Sequence, residues 1–377
     1  MEKLGVGIIG AGNISKAYLR LAPLFRGLEI LAIGDLDPDA SKKRGEEFGI
    51  RACSVEELLA APDIDVVVNL TIPAAHFSVT RNILEAGKHA YSEKPFVLSV
   101  EEGKELQKLA SNRNLRVGSA PDTFLGGSHQ QARELIDTGS IGKVTAGTCH
   151  VMSHGMEDWH PNPDFFFQPG AGPMLDLGPY YVSNLIQLIG PVTRVGALTT
   201  AATETRTIGS EPRRGEEIPV DTPTNIHSLL ELASGATITF SASWDVWAHR
   251  HAPMELYGTE GSLFLPDPNF FGGKLERAGR DGKIGTVPTG DHPFAVPNED
   301  HDGIMLANYR VAGLAEMVAA ISEDRPHRCS MELALHTVDV MTGVLRSGEE
   351  GSFVDMTTSC ERPAALGAKE AEELLAN

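Results

Sequence analysis

The stretch "LGVGIIGAGNIS" (residues 4–15) joins a short apolar run to a turn of small residues and then to a segment with helical spacing. Gly10 permits a tight turn, and Gly12 lets the backbone approach a pyrophosphate at the N-terminus of the following helix. Ser15 is small enough for close packing of helix on strand. A tight turn without a ligand is the alternative, but the strand–turn–helix context favours a dinucleotide-binding motif.

Apolar runs and helical segments continue to alternate downstream of this turn. The spacing predicts strands at 28–38, 64–72 and 90–95, and helices at 11–25, 40–49 and 76–89. Strands that alternate with helices indicate βαβ units, a parallel sheet and helices on both of its faces. We therefore predict an α/β fold whose N-terminal Rossmann dinucleotide-binding domain occupies residues 1–122.

An acidic residue, Asp35, ends the second predicted strand, about 20 residues after the glycine turn, where the motif requires an acid. A carboxylate at this position accepts hydrogen bonds from the ribose hydroxyls and repels a 2′-phosphate. Leu36 supplies no cation to offset that repulsion, and we interpret Lys42 and Lys43 as a solvated helix face. These residues predict NAD as the cofactor in preference to NADP.

Lys94 and Pro95 follow a buried strand, where a charge and a strand breaker are both unusual. The carboxyl ends of parallel strands are where ligands bind in an open α/β sheet, so Lys94 faces the predicted cofactor. A cis bond before Pro95 is one way to form the turn. Near an oxidised nicotinamide, a lysine can take a proton from a substrate hydroxyl. A strand-end lysine that reaches water is the alternative.

A second group of candidate residues lies in "GAGPMLDLGPYYVSNLIQLIGPV" (170–192), a glycine-rich turn followed by a helical segment. Asp176 and Tyr180 are four residues apart and therefore share one helix face. Gly178 between them leaves room for a ligand, so the carboxylate and the phenol form a candidate proton-handling pair. The alternative is a capping aspartate followed by a core tyrosine.

The pattern of the sequence changes after residue 122. Residues 224–247 alternate apolar and polar side chains around Ser234-Gly235, as two antiparallel strands do. Residues 205–224 are polar and rich in breakers and predict a loop, whereas residues 306–321 predict an amphipathic helix. We therefore expect residues 123–377 to form a second, α+β domain.

An aromatic and proline-rich loop, residues 154–172, leads directly to Asp176. Trp159, His160 and Asn162 are candidates to close on a sugar, because aromatic rings stack on C–H faces and amides bind hydroxyls. The alternative is a loop that packs on its own aromatic side chains.

Histidines recur near this loop, and their spacing raises the question of a metal site. His249 and His251 are two residues apart, and His150 and His154 are also close in sequence. No convincing third or fourth ligand accompanies either pair, so we predict that the protein has no metal site.

Composition excludes several classes of protein. The chain has 377 residues and a formal net charge of −19, which disfavours nucleic acid and anionic membranes as partners. The first residues lack the features of a signal peptide, and no apolar run is long enough to span a membrane. The four cysteines are scattered, so we expect reduced thiols in a cytoplasmic protein.

The chain resembles the glucose–fructose oxidoreductase / inositol dehydrogenase (Gfo/Idh/MocA) family over nearly its whole length. The residues that carry the resemblance are "GIIGAGNIS" (7–15), "EKP" (93–95) and "DLGPYY" (176–181), with weaker support from "YGTEGSL" (257–263) and "EDRPHR" (323–328). The resemblance implies that Lys94 is the catalytic lysine. It also implies that Asp176 binds either a substrate hydroxyl or the nicotinamide side of the cofactor. Tyr180 stands where many members carry histidine, so either Lys94 or Tyr180 is the main acid/base.

The resemblance also implies the architecture and the assembly of the second domain. Residues 123–377 would form a substrate-binding and oligomerisation domain around a large, open, mostly antiparallel sheet, with the C-terminal helix able to pack back on the first domain. An exposed sheet face is a liability unless another subunit covers it. We therefore expect a homodimer or a homotetramer.

Together these observations predict an NAD(P)-dependent dehydrogenase/reductase acting on CH–OH groups of a sugar, cyclitol or related polyol. The alternatives are an NAD-retaining enzyme that cleaves glycosides through transient oxidation, and a non-catalytic nucleotide-sensing regulatory protein. The predicted catalytic residues are Lys94, Asp176 and Tyr180. The predicted cofactor-binding residues are Gly10, Gly12, Asn13, Ile14, Asp35, Thr71, Pro73, His76, Glu93, Lys94 and Pro95. The predicted substrate-binding residues are Asp122, Trp159, His160, Asn162 and Tyr181.

Overall fold

The computed structural model describes residues 3–301 and 303–376, which fold into two compact units. The first unit comprises the residues up to Gly127, Asp291–Val338, and the residues from Pro363 onwards. The second unit comprises Ser128–Gly290 and Asp339–Arg362. The division into functional domains at residues 1–122 and 123–377 stays a prediction.

Over the described residues, the strands form two large sheets and two short ladders. In chain order they are β1 (Leu4–Ile9), β2 (Leu28–Gly34), β3 (Arg51–Cys53), β4 (Val66–Asn69), β5 (His89–Ser92), β6 (Val117–Ser119), β7 (Val144–Met152), β8 (Val192–Thr200), β9 (Thr205–Thr207), β10 (Glu217–Pro219), β11 (Asn225–Leu232), β12 (Thr237–Ser243), β13 (Met254–Gly258), β14 (Ser262–Leu265), β15 (Glu276–Ala278), β16 (Ile284–Thr286), β17 (Glu299–His301), β18 (Ile304–Leu306) and β19 (Val354–Asp355).

The helices flank these sheets and connect their strands. They are α1 (Asn13–Leu21), α2 (Pro38–Phe48), α3 (Val55–Ala60), α4 (His76–Glu85), α5 (Val100–Arg113), α6 (Gly127–Asp137), α7 (Pro173–Ile189), α8 (Ala312–Ser322), α9 (Met331–Glu350) and α10 (Ala368–Leu374). Single 3₁₀ turns lie at Ala22–Leu24, Pro73–Ala75, Thr123–Leu125, Asp164–Phe167 and Pro293–Ala295.

A six-stranded parallel sheet forms the centre of the first unit, in the order β3-β2-β1-β4-β5-β6. This is the strand order of a dinucleotide-binding Rossmann fold. Successive strands are added toward one edge of the sheet from β1 to β3 and toward the other edge from β4 to β6, so the order switches between β1 and β4. Val66, Val67 and Val68 of β4 are fully buried, as expected for a strand covered on both faces. The predicted parallel sheet is confirmed.

A nine-stranded sheet forms the centre of the second unit, in the order β16-β15-β14-β13-β7-β12-β11-β8-β19. Every pairing in it is antiparallel except that of β7 with β12. The predicted pair of strands around Ser234-Gly235 corresponds to β11 and β12. The prediction of an α+β unit with a large, mostly antiparallel sheet is therefore confirmed.

Local sequence signals explain where several helices begin and end. The Asp37 side chain caps α2 by accepting a hydrogen bond from the Asp39 amide, and Gly49 ends the helix in the left-handed region at φ 69°. Ser54 and Glu57 form a capping box at the start of α3. Each signal lies within four residues of the end that it determines, so the sequence alone indicates these boundaries.

Two segments differ from their predicted structure. The supposed loop at 205–224 contains the short antiparallel ladder of β9 and β10, whose Ile218 is buried with Phe167 and Trp244 in a small core. The helix predicted at 306–321 begins only at Ala312. Both differences arise from contacts with distant parts of the same unit, which local periodicity does not report.

Candidate active site

The glycine turn between β1 and α1 has one closed side and one open side. Gly10 has φ +108°, and a Cβ atom there would lie 2.6 Å from the carbonyl oxygen of Leu70. Gly12 is the N-cap of α1, and a Cβ atom on it would meet no atom within 4 Å. Gly10 therefore allows the turn to pack closely against the loop after β4. Gly12 leaves open space at the N-terminus of α1, which a bound pyrophosphate requires.

The predicted ribose-binding carboxylate lies directly beside this turn. Asp35 follows β2, and its Oδ2 accepts a hydrogen bond of 2.6 Å from the Ala11 amide. Its Oδ1 accepts one of 2.9 Å from the Asp37 amide. Each carboxylate oxygen keeps a further lone pair. The structure thus orients Asp35 so that both oxygens can accept from vicinal hydroxyls.

Arg44, which is absent from the predicted site residues, supports the same turn. Its guanidinium is buried and lies 3.3 Å from the carbonyl oxygens of both Ala11 and Gly12. It also donates to Glu47 at 2.6 Å. The available signal is the helical spacing of α2, which places Arg44 three residues after buried Ser41 and so on the inner face of the helix.

A buried asparagine, Asn69, which is absent from the predicted site residues, organises the loop after β4. Asn69 donates to the carbonyl of His76 and to Thr80 Oγ1, each at 3.1 Å. Its Oδ1 accepts from the Thr71 amide at 3.2 Å and the Thr71 hydroxyl at 2.7 Å. Pro73 then opens a 3₁₀ turn. An amide at the end of an apolar strand is the signal that could have identified Asn69.

Glu93 fixes the segment that carries Lys94. Glu93 Oε1 accepts a 3.0 Å hydrogen bond from the hydroxyl of Tyr18 in α1, and Oε2 accepts one of 3.0 Å from the Lys94 amide. The peptide bond between Lys94 and Pro95 is cis. Lys94 is half-buried just after β5, at the same carboxyl edge of the sheet as the glycine turn and Asp35.

The remaining predicted cofactor residues have different surroundings. Asn13 is exposed and Ile14 half-buried in the first turn of α1, next to the open side of the glycine turn. His76 is fully buried, and its two ring nitrogens already contact the carbonyl oxygens of Pro95 and Thr71. Because it has no exposed polar atom, His76 supports these loops instead of presenting a side chain to a cofactor.

Asp122, predicted to bind substrate, caps a helix. Its Oδ2 accepts hydrogen bonds from the amides of Val311 at 3.0 Å and Gly313 at 2.9 Å, at the start of α8. Val311 has φ +98°, a conformation that a β-branched residue rarely adopts. The carboxylate is buried, and this burial raises its pKa to about 6. The cap by Asp122 and the unusual conformation of Val311 explain why α8 begins later than predicted. A contact of Asp122 with substrate stays a prediction.

We expect Asp122→Ala to lower the free energy of unfolding of the protein by about 1–2 kcal/mol, since it removes a helix cap. Asp122→Asn keeps an acceptor oxygen and should cost less. The folded-state pKa lies above the unfolded value of 3.8, so wild-type stability relative to the Asn variant should fall as pH rises from 4 through about 6. Urea unfolding across this range measures both effects, and a pH-independent difference would contradict the second.

Asp176 and Tyr180 lie in the first turns of α7, in the second unit. The helix starts after Gly172, whose φ is +89°, and Asp176 donates its amide to the Gly172 carbonyl at 3.0 Å. Asp176 is half-buried, and Tyr180 is 8% exposed one turn further on. The shared helix face that the spacing predicts is therefore present.

Two neighbours of this pair, Gly178 and Tyr181, have structural roles within the second unit. A Cβ atom on Gly178 would lie 3.0 Å from the sulfur of Met341 in α9, so this glycine allows helix packing and does not leave space for a ligand. Tyr181 is buried, stacks on Phe240 and donates its hydroxyl to Asp267 Oδ1 at 3.2 Å. The phenol is thus enclosed and hydrogen-bonded within the second unit, and its contact with substrate stays a prediction.

The aromatic loop before α7 does expose candidate groups. Trp159 is 64% exposed, and Asn162 is exposed as well. His160 Nδ1 accepts a 3.1 Å hydrogen bond from the Asn162 amide, and its ring packs edge-on against Trp159 and Phe166. The loop therefore holds a ring and an amide at its surface while packing partly on its own aromatic side chains.

A buried ion cluster anchors this loop and was also missed. Arg206 pairs with Glu157 at 2.7 Å and with Asp245, and it donates to the carbonyls of His154 and Trp244, each at 3.1 Å. All three charged side chains are almost completely buried. Arg206 belongs to a stretch that the sequence presents as a polar loop, so nothing local distinguishes it from its exposed neighbours.

The histidines near the loop stack on other rings. His150 packs on His251 with ring centroids 4.0 Å apart, and His154 packs on Trp247 at 3.4 Å. Burial and the neighbouring histidines lower the pKa of His150 to about 4. Over residues 3–301 and 303–376, no group of three or more His, Cys, Asp or Glu side chains is arranged to hold a metal ion.

Among the helices of the described residues, none is long and apolar enough to cross a membrane.

Families of known proteins match both the N-terminal and the C-terminal part of this chain. A family model described as "Oxidoreductase family, NAD-binding Rossmann fold" matches residues 4–120, and one described as "GFO/IDH/MocA C-terminal domain" matches residues 129–264. Levoglucosan dehydrogenase of Pseudarthrobacter phenanthrenivorans is 24% identical over 292 residues, which is 70% of this chain and 73% of that protein. The dTDP-3,4-didehydro-2,6-dideoxy-alpha-D-glucose 3-reductase of Saccharopolyspora spinosa is 28% identical over 267 residues, 69% of this chain and 74% of the relative.

The solved structures give the same architecture. Levoglucosan dehydrogenase in complex with NADH and L-sorbose superposes with a TM-score of 0.80 at 23% identity, covering 95% of this chain and all of that one. An NAD binding oxidoreductase from Klebsiella pneumoniae superposes with a TM-score of 0.81 at 21% identity, with coverage of 95% and 100%. At these identities the likeness concerns the fold.

The strand order, the open glycine turn and the anchored Asp35 define a dinucleotide-binding protein with a Rossmann domain. The two family models together match more than half of the chain. The chain belongs to the Gfo/Idh/MocA family of oxidoreductases, it is an NAD(P)-dependent dehydrogenase or reductase, and its cofactor is NAD.

Proposed function

We propose that this oxidoreductase transfers hydride between nicotinamide and a secondary hydroxyl or keto carbon of a sugar, cyclitol or related polyol. The observation that carries the proposal is the position of Lys94, on a fixed turn at the carboxyl edge of the parallel sheet that holds the glycine turn and Asp35. The relatives named as a levoglucosan dehydrogenase and a sugar-nucleotide 3-reductase support this class of substrate.

Lys94 is the residue that we assign to proton transfer. When bound, NAD supplies the hydride acceptor or donor, so the chain itself has to bind the hydroxyl and move its proton. A neutral lysine amine accepts the hydroxyl proton during oxidation and returns it during reduction. We assign Asp176 and Tyr180 to binding substrate hydroxyls, Asp176 as a hydrogen-bond acceptor and Tyr180 through its phenol. Tyr180 is also the second candidate for the acid/base role.

A panel of polyols, cyclitols, reducing sugars and glycosides tests the proposal. The purified protein with NAD should produce NADH, read by absorbance at pH 8 to 9, with at least one member of the panel. Analysis of the same panel for glycoside cleavage distinguishes net oxidation from the alternative chemistry. In that alternative the enzyme retains NAD and cleaves the glycoside, and no net NADH appears. Cleavage without NADH, or no turnover across the panel in either direction, would overturn the proposal.

Asp35 should determine the choice between NAD and NADP. The anchored carboxylate accepts from ribose hydroxyls and repels a 2′-phosphate, while exposed Leu36 offers no cation. We expect a kcat/KM for NAD well above that for NADP, and Asp35→Ser should narrow the ratio by relieving the repulsion. Steady-state kinetics with both cofactors measure the ratio of the two kcat/KM values in the wild type and the variant. A wild-type kcat/KM for NADP equal to that for NAD would refute the prediction.

We also propose that the open face of the second sheet is covered by another copy of the chain, in a homodimer or homotetramer. Leu198 and Leu229 lie on one face of β8 and β11 and are 75% and 45% exposed, and Phe353 is 62% exposed against Gly196 of the same face. Exposed apolar side chains in such a group indicate an interaction surface.

Light scattering of the purified protein tests this assembly. The mass of one chain is 40.4 kDa, and we expect about two or four times this value at micromolar concentration. The double variant Leu198→Asp/Leu229→Asp should shift the mass toward that of one chain. A wild-type protein that measures as a monomer contradicts the proposal.

A further inference from the structure

His76, the first residue of α4, joins the two loops at the carboxyl edge of the first sheet. Its side chain is fully buried. Nδ1 lies 2.7 Å from the carbonyl oxygen of Pro95, the residue after Lys94, and Nε2 lies 2.9 Å from the carbonyl oxygen of Thr71 in the loop after β4. A carbonyl oxygen only accepts hydrogen bonds, so each contact requires an N–H on the ring. Both contacts are hydrogen bonds only when the ring carries both protons.

Two other buried histidines show what a neutral ring looks like in this protein. His129 donates from Nε2 to the Phe270 carbonyl at 2.9 Å, while its Nδ1 lies 3.2 Å from the amide nitrogen of Asn184, a donor. His292 has one nitrogen on the Leu366 carbonyl and accepts the Phe294 amide on the other. Each has one acceptor and one donor as partners, which fits a single ring proton.

We propose that His76 is an imidazolium that positions Lys94 by tying the Lys94–Pro95 turn to the Thr71 loop. This inference rests on the proposed function, in which Lys94 moves the substrate proton. Asn69 also holds the loop that contains Thr71, because its Oδ1 accepts from the Thr71 amide and hydroxyl. His76 therefore connects the segments that follow β4 and β5, from which the predicted cofactor residues extend, and Asn69 holds the first of these segments in place.

The charges around His76 act in opposite directions. The balance lowers the pKa of His76 below the ordinary histidine value, with burial as the largest cause. The hydrogen bonds to Pro95 and Thr71 and the nearby Glu93 carboxylate oppose this lowering, and the Lys94 charge adds to it. The geometry of the two acceptors is therefore what supports the imidazolium. Deprotonation would point a ring lone pair at a buried carbonyl oxygen and leave that acceptor without a donor, which opposes loss of the proton. A cation at this place also favours the neutral form of Lys94, the form that accepts a proton.

Nitrogen NMR of the full-length, ¹⁵N-histidine-labelled protein with NAD measures the protonation directly and without turnover. At pH 7.5 we expect both His76 nitrogens to show the protonated signature, whereas His129 and His292 each keep one unprotonated nitrogen as internal references. The His76 signals are assigned by their loss in His76→Gln. An unprotonated nitrogen on His76 under these conditions overturns the inference.

Kinetics test the positioning role. In His76→Gln one amide nitrogen cannot reach both carbonyls, so we expect kcat to fall about 10- to 100-fold with the KM for the polyol changed much less. The limb of the pH profile that reports the base should move to higher pH, because the neighbouring cation is gone. His129→Gln, an equally buried histidine in the second unit, is the matched control and should alter neither quantity.

The outcomes separate this inference from the proposed function. An unchanged kcat and pH limb in His76→Gln overturn the positioning role. If Lys94→Ala keeps its activity, the assignment of proton transfer to Lys94 fails, while the NMR result on His76 still decides its protonation. If His76→Gln does not fold, the wild-type spectrum, assigned by pH titration and contacts to neighbouring residues, remains the deciding measurement.

Discussion

Lys94→Ala should lower kcat by about 10²–10⁴-fold, because it removes the group that we assign to take and return the substrate proton. NAD affinity should change little, since the predicted pyrophosphate and ribose contacts lie at Gly12 and Asp35. The effect is expected in kcat more than in KM, since proton transfer belongs to the chemical step. Activity with the best polyol from the panel and calorimetry with NAD measure the two quantities.

Two further variants make this prediction specific. Lys94→Arg keeps the positive charge but does not give up a proton at neutral pH, so it should fail as Lys94→Ala does. Lys104→Ala removes an exposed lysine from α5 of the same unit and should keep full activity. If Lys94→Ala turns over at the wild-type rate, the proton moves through Tyr180 or water and Lys94 is only a strand-end cation.

The two glycines of the first turn should respond to the same substitution in different ways. Gly10→Ala places a Cβ atom 2.6 Å from the Leu70 carbonyl oxygen at φ +108°, and the atoms it meets belong to the backbone. We expect a loss of at least about 2 kcal/mol in the free energy of unfolding, from strain and overpacking together. NAD binding should be lost with the shape of the turn.

Gly12→Ala is the matched control for stability and a test of the pyrophosphate site. Its Cβ atom meets no protein atom within 4 Å, so the loss of stability should stay below about 1 kcal/mol. The methyl group enters the space predicted for the pyrophosphate, and the Kd for NAD should rise about 10- to 100-fold. Thermal unfolding without cofactor and calorimetry with NAD separate the two effects. Equal losses of stability in both variants would contradict this account of the turn.

Much of the cofactor half of the site could be predicted from the sequence. The glycine turn, Asp35 and Lys94 each follow an apolar strand, and the carboxyl ends of parallel strands lie at one edge of a sheet. Their placement depends on the alternation of strands and helices, which the apolar pattern reports directly. The shared face of Asp176 and Tyr180 follows in the same way from the period of a helix.

The supporting residues could not be predicted in this way. His76, Asp122 and Tyr181 were each expected to meet a ligand, and each is hydrogen-bonded within its own unit. Arg44 and Asn69 were not selected at all, although both organise the predicted cofactor site. A polar residue in a promising segment looks the same in sequence whether its partner is a ligand or a distant backbone amide.

The sequence by itself determined the fold class, the dinucleotide turn and the family, because these depend on patterns that repeat within a few residues. Only the tertiary structure decided which polar groups remain for chemistry. The partners of Asp122 lie 189 and 191 residues away, and Gly178 faces a methionine of another helix. The period of a helix or strand determines which face a side chain occupies, whereas its partner depends on the distant segment that folding brings against that face.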